Sequence, residues 1–180
     1  MTRQIGLTIP QTGSQRELKI TFPDSCPDGA CPVVLALHGS GRGIGDYDTV
    51  PFYVRQKEIS LGYGYAFAVL QNGRDTYGTD EGVANVHAAV VWLTGNISHG
   101  IPVTLWATSA GGICAWRYAA AHPEKIRAII GTFALYDLDC GLRLLQSCRD
   151  AWSGKDTSGR NPAENRALDG KIPIFLAHGT

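Results

Sequence analysis

The chain has 180 residues, with 16 Lys and Arg residues balanced by 16 Asp and Glu residues, so its formal net charge at pH 7 is zero. Hydrophobic residues make up 44% and charged residues 18%, which excludes an intrinsically disordered chain. Without a basic excess, nucleic acid and anionic membranes are excluded as expected partners. The length suits one domain with a substantial core.

The N-terminal segment predicts an antiparallel edge of a sheet. Residues 4–9 and 17–22 alternate between polar and apolar side chains enough to form two strands joined across residues 10–14. The first residues lack the apolar core of a signal peptide, and no apolar stretch approaches the length of a membrane span. We therefore expect a cytoplasmic protein without a membrane partner.

The cysteines leave a secreted protein as the alternative. Cys26 and Cys31 bracket a turn, Cys140 and Cys148 lie close in sequence, and Cys114 falls in a predicted helix. Two disulfides and one free thiol would fit secretion, whereas scattered buried thiols are equally ordinary in a cytosolic protein. No paired C-x-x-C motif or cysteine–histidine cluster occurs, so we expect neither a metal nor a cofactor.

A buried strand is predicted at residues 32–38, and it runs directly into the glycine-rich segment 39–45. Such a loop lets backbone amides approach a ligand closely, as stabilisation of a developing oxyanion requires. The amide of Ser40 is the expected donor, with Gly39 beside it. A phosphate-binding loop is the alternative, but the pattern G-x-x-x-x-G-K-[ST] is absent and no helix start follows immediately.

Alternating helices and strands follow this loop. A helix is predicted at residues 46–61, a strand at 65–70 and a second helix from Asp80 onward. After Asp80, apolar side chains recur at helical spacing at Val83, Val86, Val90, Leu93 and Ile97. The alternation predicts a crossover between parallel strands.

Ser109 lies between a predicted strand at residues 102–106 and a predicted helix that ends before Pro123. The small residues of Ala107-Thr108-Ser109-Ala110-Gly111 allow a strand to turn sharply into a helix and expose a strained serine. G-x-S-x-G is the usual pattern, and Ala107 is a tolerable departure from it. The amide of Ala110 is the second expected oxyanion donor. A hydroxyl that only caps a helix is the alternative.

Two further strands are predicted, at residues 126–134 and 172–178. The segment between them turns polar over residues 137–171. This segment is expected to form a small cap over the site or, equally, one surface helix with loops.

The order of strand, H-G-S-G loop, later strand, nucleophile turn and final strand ending in His178-Gly179 resembles the α/β-hydrolase family. Small bacterial esterases and dienelactone-hydrolase-like or prolyl-oligopeptidase-like members are the most similar, over about residues 30–180. The resemblance implies an α/β fold with a mostly parallel sheet flanked by helices. It also implies a serine hydrolase for small carboxylic esters or related acyl substrates, with Ser109 as nucleophile and the amides of Ser40, Ala110 and Gly39 as the oxyanion hole.

In the family, the catalytic serine, acid and histidine follow one another along the chain in this order, and no histidine of this sequence lies where the base is expected. His38 is expected to be structural, and the resemblance places His178 on the strand that presents the acid. Asp137 and Asp139 are fallback acids, although a polar loop after the strand is favoured. We therefore expect residues 1–180 to form a single incomplete domain, without the last strand and helix of the fold and inactive alone. A non-catalytic binding or interaction module is the alternative.

Overall fold

The computed structural model describes residues 3–10, 15–26, 30–164 and 168–178. Residues 11–14 of the first predicted turn and Gly179 of the histidine–glycine pair lie outside these ranges. The strands are β1 (Gln4–Pro10), β2 (Gln15–Thr21), β3 (Val33–Leu37), β4 (Ala66–Leu70), β5 (Val103–Thr108), β6 (Ile126–Thr132) and β7 (Ile174–Ala177). The α-helices are α1 (Asp46–Thr49), α2 (Pro51–Gly62), α3 (Asp80–Asn96), α4 (Gly111–Ala121), α5 (Leu138–Leu144) and α6 (Gln146–Trp152). In these ranges, no helix combines the length and the apolar character that crossing a bilayer requires.

The strands form one seven-stranded sheet in the order β1-β2-β4-β3-β5-β6-β7. The pairs β4–β3, β3–β5, β5–β6 and β6–β7 are parallel, whereas β1 pairs antiparallel with β2 and β2 antiparallel with β4. The predicted α/β fold with an antiparallel N-terminal edge is confirmed. Because parallel strands end at the same edge, the loops after β3 and β5 come together there.

Helices cover both faces of the sheet, which is why β3 is buried along its whole length. Leu35 and Leu37 contact the larger core with residues of α3 and α4. Ala36 points to the opposite face, where Tyr47 and Tyr53 of α1 and α2 form a smaller core.

The helix predicted at residues 46–61 is interrupted at Val50. Val50 has an extended backbone (φ −92°, ψ 117°), and Pro51 is the first residue of α2. The residue before a proline is disfavoured in the helical region, so the proline separates α1 from α2. Helix α3 begins where predicted, and the side chain of Thr79 accepts a hydrogen bond from the Gly82 amide.

The last part of the chain differs from the prediction in two places. Strand β6 ends at Thr132 rather than at 134, because Phe133 adopts a left-handed backbone (φ 49°). The polar segment 137–171 contains the two short helices α5 and α6 instead of one. Cys148 and Trp152 of α6 pack against Ile113 of α4. That this segment caps the site stays a prediction, as does the single incomplete domain.

Two glycines of α3 provide a matched test of its packing. A Cβ on Gly82 would lie 2.0 Å from the carbonyl oxygen of Asp75, whereas one on Gly95 would meet nothing within 4 Å. We expect Gly82→Ala to lower the free energy of unfolding by about 1–3 kcal/mol through the clash. Gly95→Ala should raise it by up to ~1 kcal/mol, because alanine favours helix. Urea unfolding followed by circular dichroism measures both, and equal effects would contradict the close contact at Gly82.

Candidate active site

Ser109 occupies the turn between β5 and α4, and its backbone is left-handed, with φ of 49°. This conformation is uncommon for a residue with a side chain and costs free energy unless neighbours hold it. The Ser109 amide donates to the carbonyl of Thr132 at 3.3 Å, and the Ser109 carbonyl accepts from Gly112 at 2.9 Å and from Leu135 at 2.8 Å. The predicted sharp turn is therefore present, and the serine is half-buried at its tip.

The two glycines after Ser109 are required by neighbouring backbone. A Cβ on Gly111 would lie 2.3 Å from the carbonyl oxygen of Leu37 at the end of β3, and one on Gly112 would lie 2.3 Å from that of Leu135. Ala107 is fully buried two residues before the serine, with no glycine needed there. The small residues thus let α4 start directly against the end of β3.

The glycine loop after β3 lies beside the serine, as predicted. A Cβ on Gly39 would be 3.4 Å from the Ser109 Cβ, so the loop and the serine lie within van der Waals contact. The amides of Ser40 and Ala110 donate no hydrogen bond to any described residue. Both amides are therefore available to an anion near Ser109, and their role as an oxyanion hole stays a prediction.

Tyr53 of α2 is a site residue that the sequence pattern did not single out. A Cβ on Gly39 would lie 3.2 Å from the Tyr53 hydroxyl oxygen. Helix α2 is attached to the same region by Gln56, whose Nε2 donates to the Thr108 hydroxyl at 3.1 Å. Burial raises the pKa of Tyr53, and a backbone hydrogen bond from Gly39 partly opposes that rise. The phenol therefore stays neutral at pH 7 and can act as a hydrogen-bond donor.

Two exposed phenylalanines lie on the same side of the molecule as Tyr53. The ring of Phe52 is 5.1 Å from that of Tyr53 and 6.1 Å from that of Phe133, between centroids. Phe52 is 40% exposed and Phe133 is 52% exposed. Phe133 follows the β6 residue whose carbonyl receives the Ser109 amide. The two rings form an exposed apolar surface next to Tyr53.

His38 is structural, in agreement with its expected role. Its side chain is buried between β3 and the loop after β4, where its Nε2 accepts from the Asn72 amide at 3.1 Å. Its Nδ1 lies 2.8 Å from the Gly39 carbonyl oxygen and donates to it. Burial lowers the pKa of His38, although the hydrogen bond to Gly39 raises it in part. A neutral His38 therefore fixes the glycine loop to the sheet.

The other histidines do not make hydrogen bonds with Ser109 in the described part of the chain. The rings of His87 and His122 lie 4.8 Å apart where α3 meets the end of α4. Burial and then the nearby His122 lower the pKa of His87. His99 lies in an exposed turn after α3, and His178 is exposed at the end of β7.

The fallback acids are part of the local structure around α5. The Asp137 carboxylate caps α5 by accepting from the Cys140 amide at 3.1 Å, and it also accepts from Asn161 at 3.1 Å. Asp139 accepts from the same Asn161 at 3.2 Å. The bond from Cys140 is the largest cause that lowers the pKa of Asp137. These contacts favour the expected polar loop over a catalytic acid.

The cysteines form one disulfide rather than two. Cys26 and Cys31 are bonded, with Cα atoms 5.5 Å apart, whereas Cys114, Cys140 and Cys148 carry free thiols. Burial raises the pKa of Cys114 to about 12 and that of Cys148 to about 11, so neither thiol ionises at neutral pH. No group of three or more potential metal-ligating side chains occurs within the described ranges. Location in the cell stays a prediction.

Comparison with known proteins identifies the fold. No protein-family model matches the chain, and no curated protein matches it in sequence. S-formylglutathione hydrolase (FrmB) from Staphylococcus aureus superimposes with a TM-score of 0.74 at 13% identity, over 100% of this chain and 80% of that chain. FphF, a fluorophosphonate-binding serine hydrolase from Staphylococcus aureus, superimposes with a TM-score of 0.70 at 16% identity, over 99% of this chain and 80% of that chain. Dienelactone hydrolase from Anabaena variabilis superimposes with a TM-score of 0.63 at 16% identity, over 98% of this chain and 86% of that chain.

These identities are low, so the likeness concerns the fold. The chain has the α/β-hydrolase fold, with its mixed, mostly parallel sheet and flanking helices. The fold resemblance predicted from the sequence is confirmed. The roles of Ser109, Ser40, Ala110 and Gly39 stay predictions, although the structure brings all four together.

The buried, neutral His38 predicts a pH-dependent stability. Its pKa lies below 6.5 in the folded chain, so the unfolded chain binds more protons as the pH falls through 6.5. The contribution of His38 to the free energy of unfolding is therefore fully present above that pH and is lost below it, by on the order of 1 kcal/mol between about pH 7 and about pH 5.5. Urea unfolding of the wild type and of His38→Gln at both pH values measures this loss.

His38→Gln keeps an acceptor for the Asn72 amide but does not titrate, so its stability should fall less on acidification. The pH-sensitive His87 is present in both proteins, and its contribution cancels in the difference. If the free energies of unfolding of the wild type and of His38→Gln fall equally on acidification, His38 is not held neutral by the fold.

Proposed function

We propose that this chain, which has the α/β-hydrolase fold, is a serine hydrolase for carboxylic esters or related small acyl compounds. The observation that carries the proposal is the left-handed Ser109, held at the strand-to-helix turn next to Gly39. Strained backbone that is fixed by several neighbours occurs preferentially at functional sites. The turn leaves Ser109 half-buried, and the amides of Ser40 and Ala110 nearby donate no hydrogen bond to any described residue.

In this proposal the Ser109 oxygen attacks the carbonyl carbon of the substrate. The electron pair of the carbonyl moves to its oxygen, and the amides of Ser40 and Ala110 bind that oxyanion. The alcohol then leaves, and water releases the acyl group from the serine. The Gly39 position contributes by allowing the loop to approach the serine closely.

No histidine in the described residues is placed to accept the proton of Ser109. None of the five is hydrogen-bonded to Ser109 in the described ranges. Loss of the base in a serine hydrolase lowers turnover by about a million-fold. We therefore expect slow ester hydrolysis by this chain alone, with covalent modification of Ser109 as the more sensitive readout. The same observation favours a non-catalytic binding module as the second candidate.

The substrate class is supported by the apolar surface formed by Phe52 and Phe133. Exposed apolar patches beside a polar site are typical of ligand contacts. An ester whose acyl group is apolar would bury part of both rings when its carbonyl reaches Ser109. A neutral ester also fits the site because the nearby Arg42 is paired with Asp46 at 3.4 Å.

Modification by a fluorophosphonate tests the serine directly. The reagent forms a bond between its phosphorus and a serine oxygen, fluoride leaves, and the serine proton goes to water; the amides beside Ser109 would favour this serine by stabilising the phosphoryl oxygen. We expect Ser109 to be the modified residue in the wild type, as peptide mass spectrometry will show, and Ser109→Ala to remove the modification. Ser153→Ala, which alters an exposed serine in the turn after α6, is the matched control and should leave the rate unchanged.

The outcome separates the two candidate functions. Modification of Ser109 faster than that of exposed serines supports the hydrolase. If Ser109 reacts no faster than Ser153, the hydrolase proposal is wrong and the chain is a binding module.

Replacement of Phe133 tests the proposed apolar acyl contact. We expect Phe133→Ala to reduce the ratio of modification rates for an octyl over an ethyl fluorophosphonate by about fivefold, since burial of part of the alkyl chain is worth ~1 kcal/mol. Tyr63→Ala, at an 80% exposed aromatic residue at the end of α2, is the control. An unchanged ratio in Phe133→Ala would remove the apolar surface from the substrate site.

A further inference from the structure

The hydroxyl of Tyr53 lies against the same point of the glycine loop as Ser109. The position that a Gly39 Cβ would take is 3.2 Å from the Tyr53 oxygen and 3.4 Å from the Ser109 Cβ. The Tyr53 oxygen and the Ser109 Cβ are therefore separated by no more than the sum of these two distances from the Gly39 Cβ position. A substrate carbonyl joined to the Ser109 oxygen would have its own oxygen in this small region.

The phenol of Tyr53 lies against the backbone of Gly39. The Tyr53 oxygen lies 3.2 Å from the position of a Gly39 Cβ, and the Gly39 backbone partly opposes the rise in the pKa of Tyr53 that burial causes. The hydrogen of the Tyr53 hydroxyl has no acceptor among the described residues. A buried phenol usually finds an acceptor for its hydrogen, so an unused donor beside a reactive serine indicates an acceptor supplied by a ligand.

The ring of Tyr53 is held firmly enough to present this donor. Its side chain is 6% exposed, and it packs on the ring of Tyr47 at 4.7 Å and edge-on against Phe52 at 5.1 Å. One turn further along α2, the side chain of Gln56 is hydrogen-bonded to Thr108, the residue before Ser109. Helix α2 and the serine turn are therefore fixed relative to each other.

We propose that the Tyr53 hydroxyl is a third donor to the substrate oxygen that becomes negatively charged when Ser109 attacks. This inference rests on the proposed hydrolase function and adds a side-chain donor to the amides of Ser40 and Ala110. Tyr53 keeps its proton throughout and lends only a hydrogen bond. The bond between the serine oxygen and the carbonyl carbon forms while the carbonyl electron pair moves to the oxygen, and the serine proton goes to water or a base.

Tyr47 offers a matched control in the same cluster. Its ring packs at an interplanar angle of 54° against that of Tyr53, but its hydroxyl is buried and has no hydrogen-bond partner among the described residues. Removing that oxygen costs no hydrogen bond, so Tyr47→Phe should keep the packing and the stability of the wild type. Both substitutions replace a phenol by the same phenyl ring, and they differ in whether the lost oxygen faces Ser109.

The test measures modification by an ethyl fluorophosphonate over a range of concentrations. Its phosphoryl oxygen stands for the substrate oxyanion. We expect Tyr53→Phe to lower the limiting rate constant about 10- to 100-fold with little change in the concentration for half-maximal rate, because the donor acts on developing charge. Tyr47→Phe should remain within about twofold of the wild type. Urea unfolding of each variant confirms that it is folded.

Phosphorus-31 magnetic resonance distinguishes a hydrogen bond donated by Tyr53 from an effect of Tyr53 on the structure of the loop. In the modified protein, a hydrogen bond from Tyr53 to the phosphoryl oxygen should shift the phosphorus-31 resonance, and Tyr53→Phe should shift it back while Tyr47→Phe leaves it in place. If the wild type is modified at Ser109 but Tyr53→Phe changes neither the rate constant nor the resonance, the role of Tyr53 is wrong and the hydrolase proposal stands. If Ser109 is not modified in the wild type, both proposals are wrong.

Discussion

Ser109 keeps its left-handed backbone because three neighbouring peptide groups hold it on both sides. Its amide is bound by the end of β6, and its carbonyl is shared by the first turn of α4 and the loop after β6. Two strands and a helix therefore meet at one residue. If any of these contacts were lost, the strain at Ser109 would be released and the turn would relax. The position of the hydroxyl thus depends on the sheet order itself, which puts β5 between β3 and β6.

The same constraint explains the glycines around the serine. Helix α4 can begin directly after Ser109 only if it passes within contact distance of the β3 carbonyls, and Gly111 allows that approach. Gly39 allows the loop after β3 to reach the serine from the other side. The small residues are required by tertiary contacts between neighbouring elements rather than by the local turn alone. Ala107 is fully buried with its Cβ in place, so this position needs no glycine.

The strands and the turn at Ser109 could be predicted because they leave a local signal in the sequence. Buried parallel strands appear as apolar runs, and the small residues around Ser109 mark the sharp turn. The left-handed Phe133 leaves no such signal, because no glycine marks the position and the conformation is maintained by contacts with β7. Tyr53 was missed for a related reason, since its contact with Gly39 joins residues 14 positions apart.

The electrostatics of the site divide the proposed reaction into two parts that different elements supply. In the proposed reaction, negative charge is stabilised by neutral groups: the amides of Ser40 and Ala110, the phenol of Tyr53 and the positive end of α4, which begins beside Ser109. His38 is held neutral, and the charge of Arg42 is paired with that of Asp46. These three side chains therefore place no unpaired charge beside the dipoles. Such preorganised dipoles need no rearrangement when charge develops. In the proposed reaction, the sheet and helices α2 and α4 therefore supply the oxyanion environment independently of whichever group accepts the serine proton.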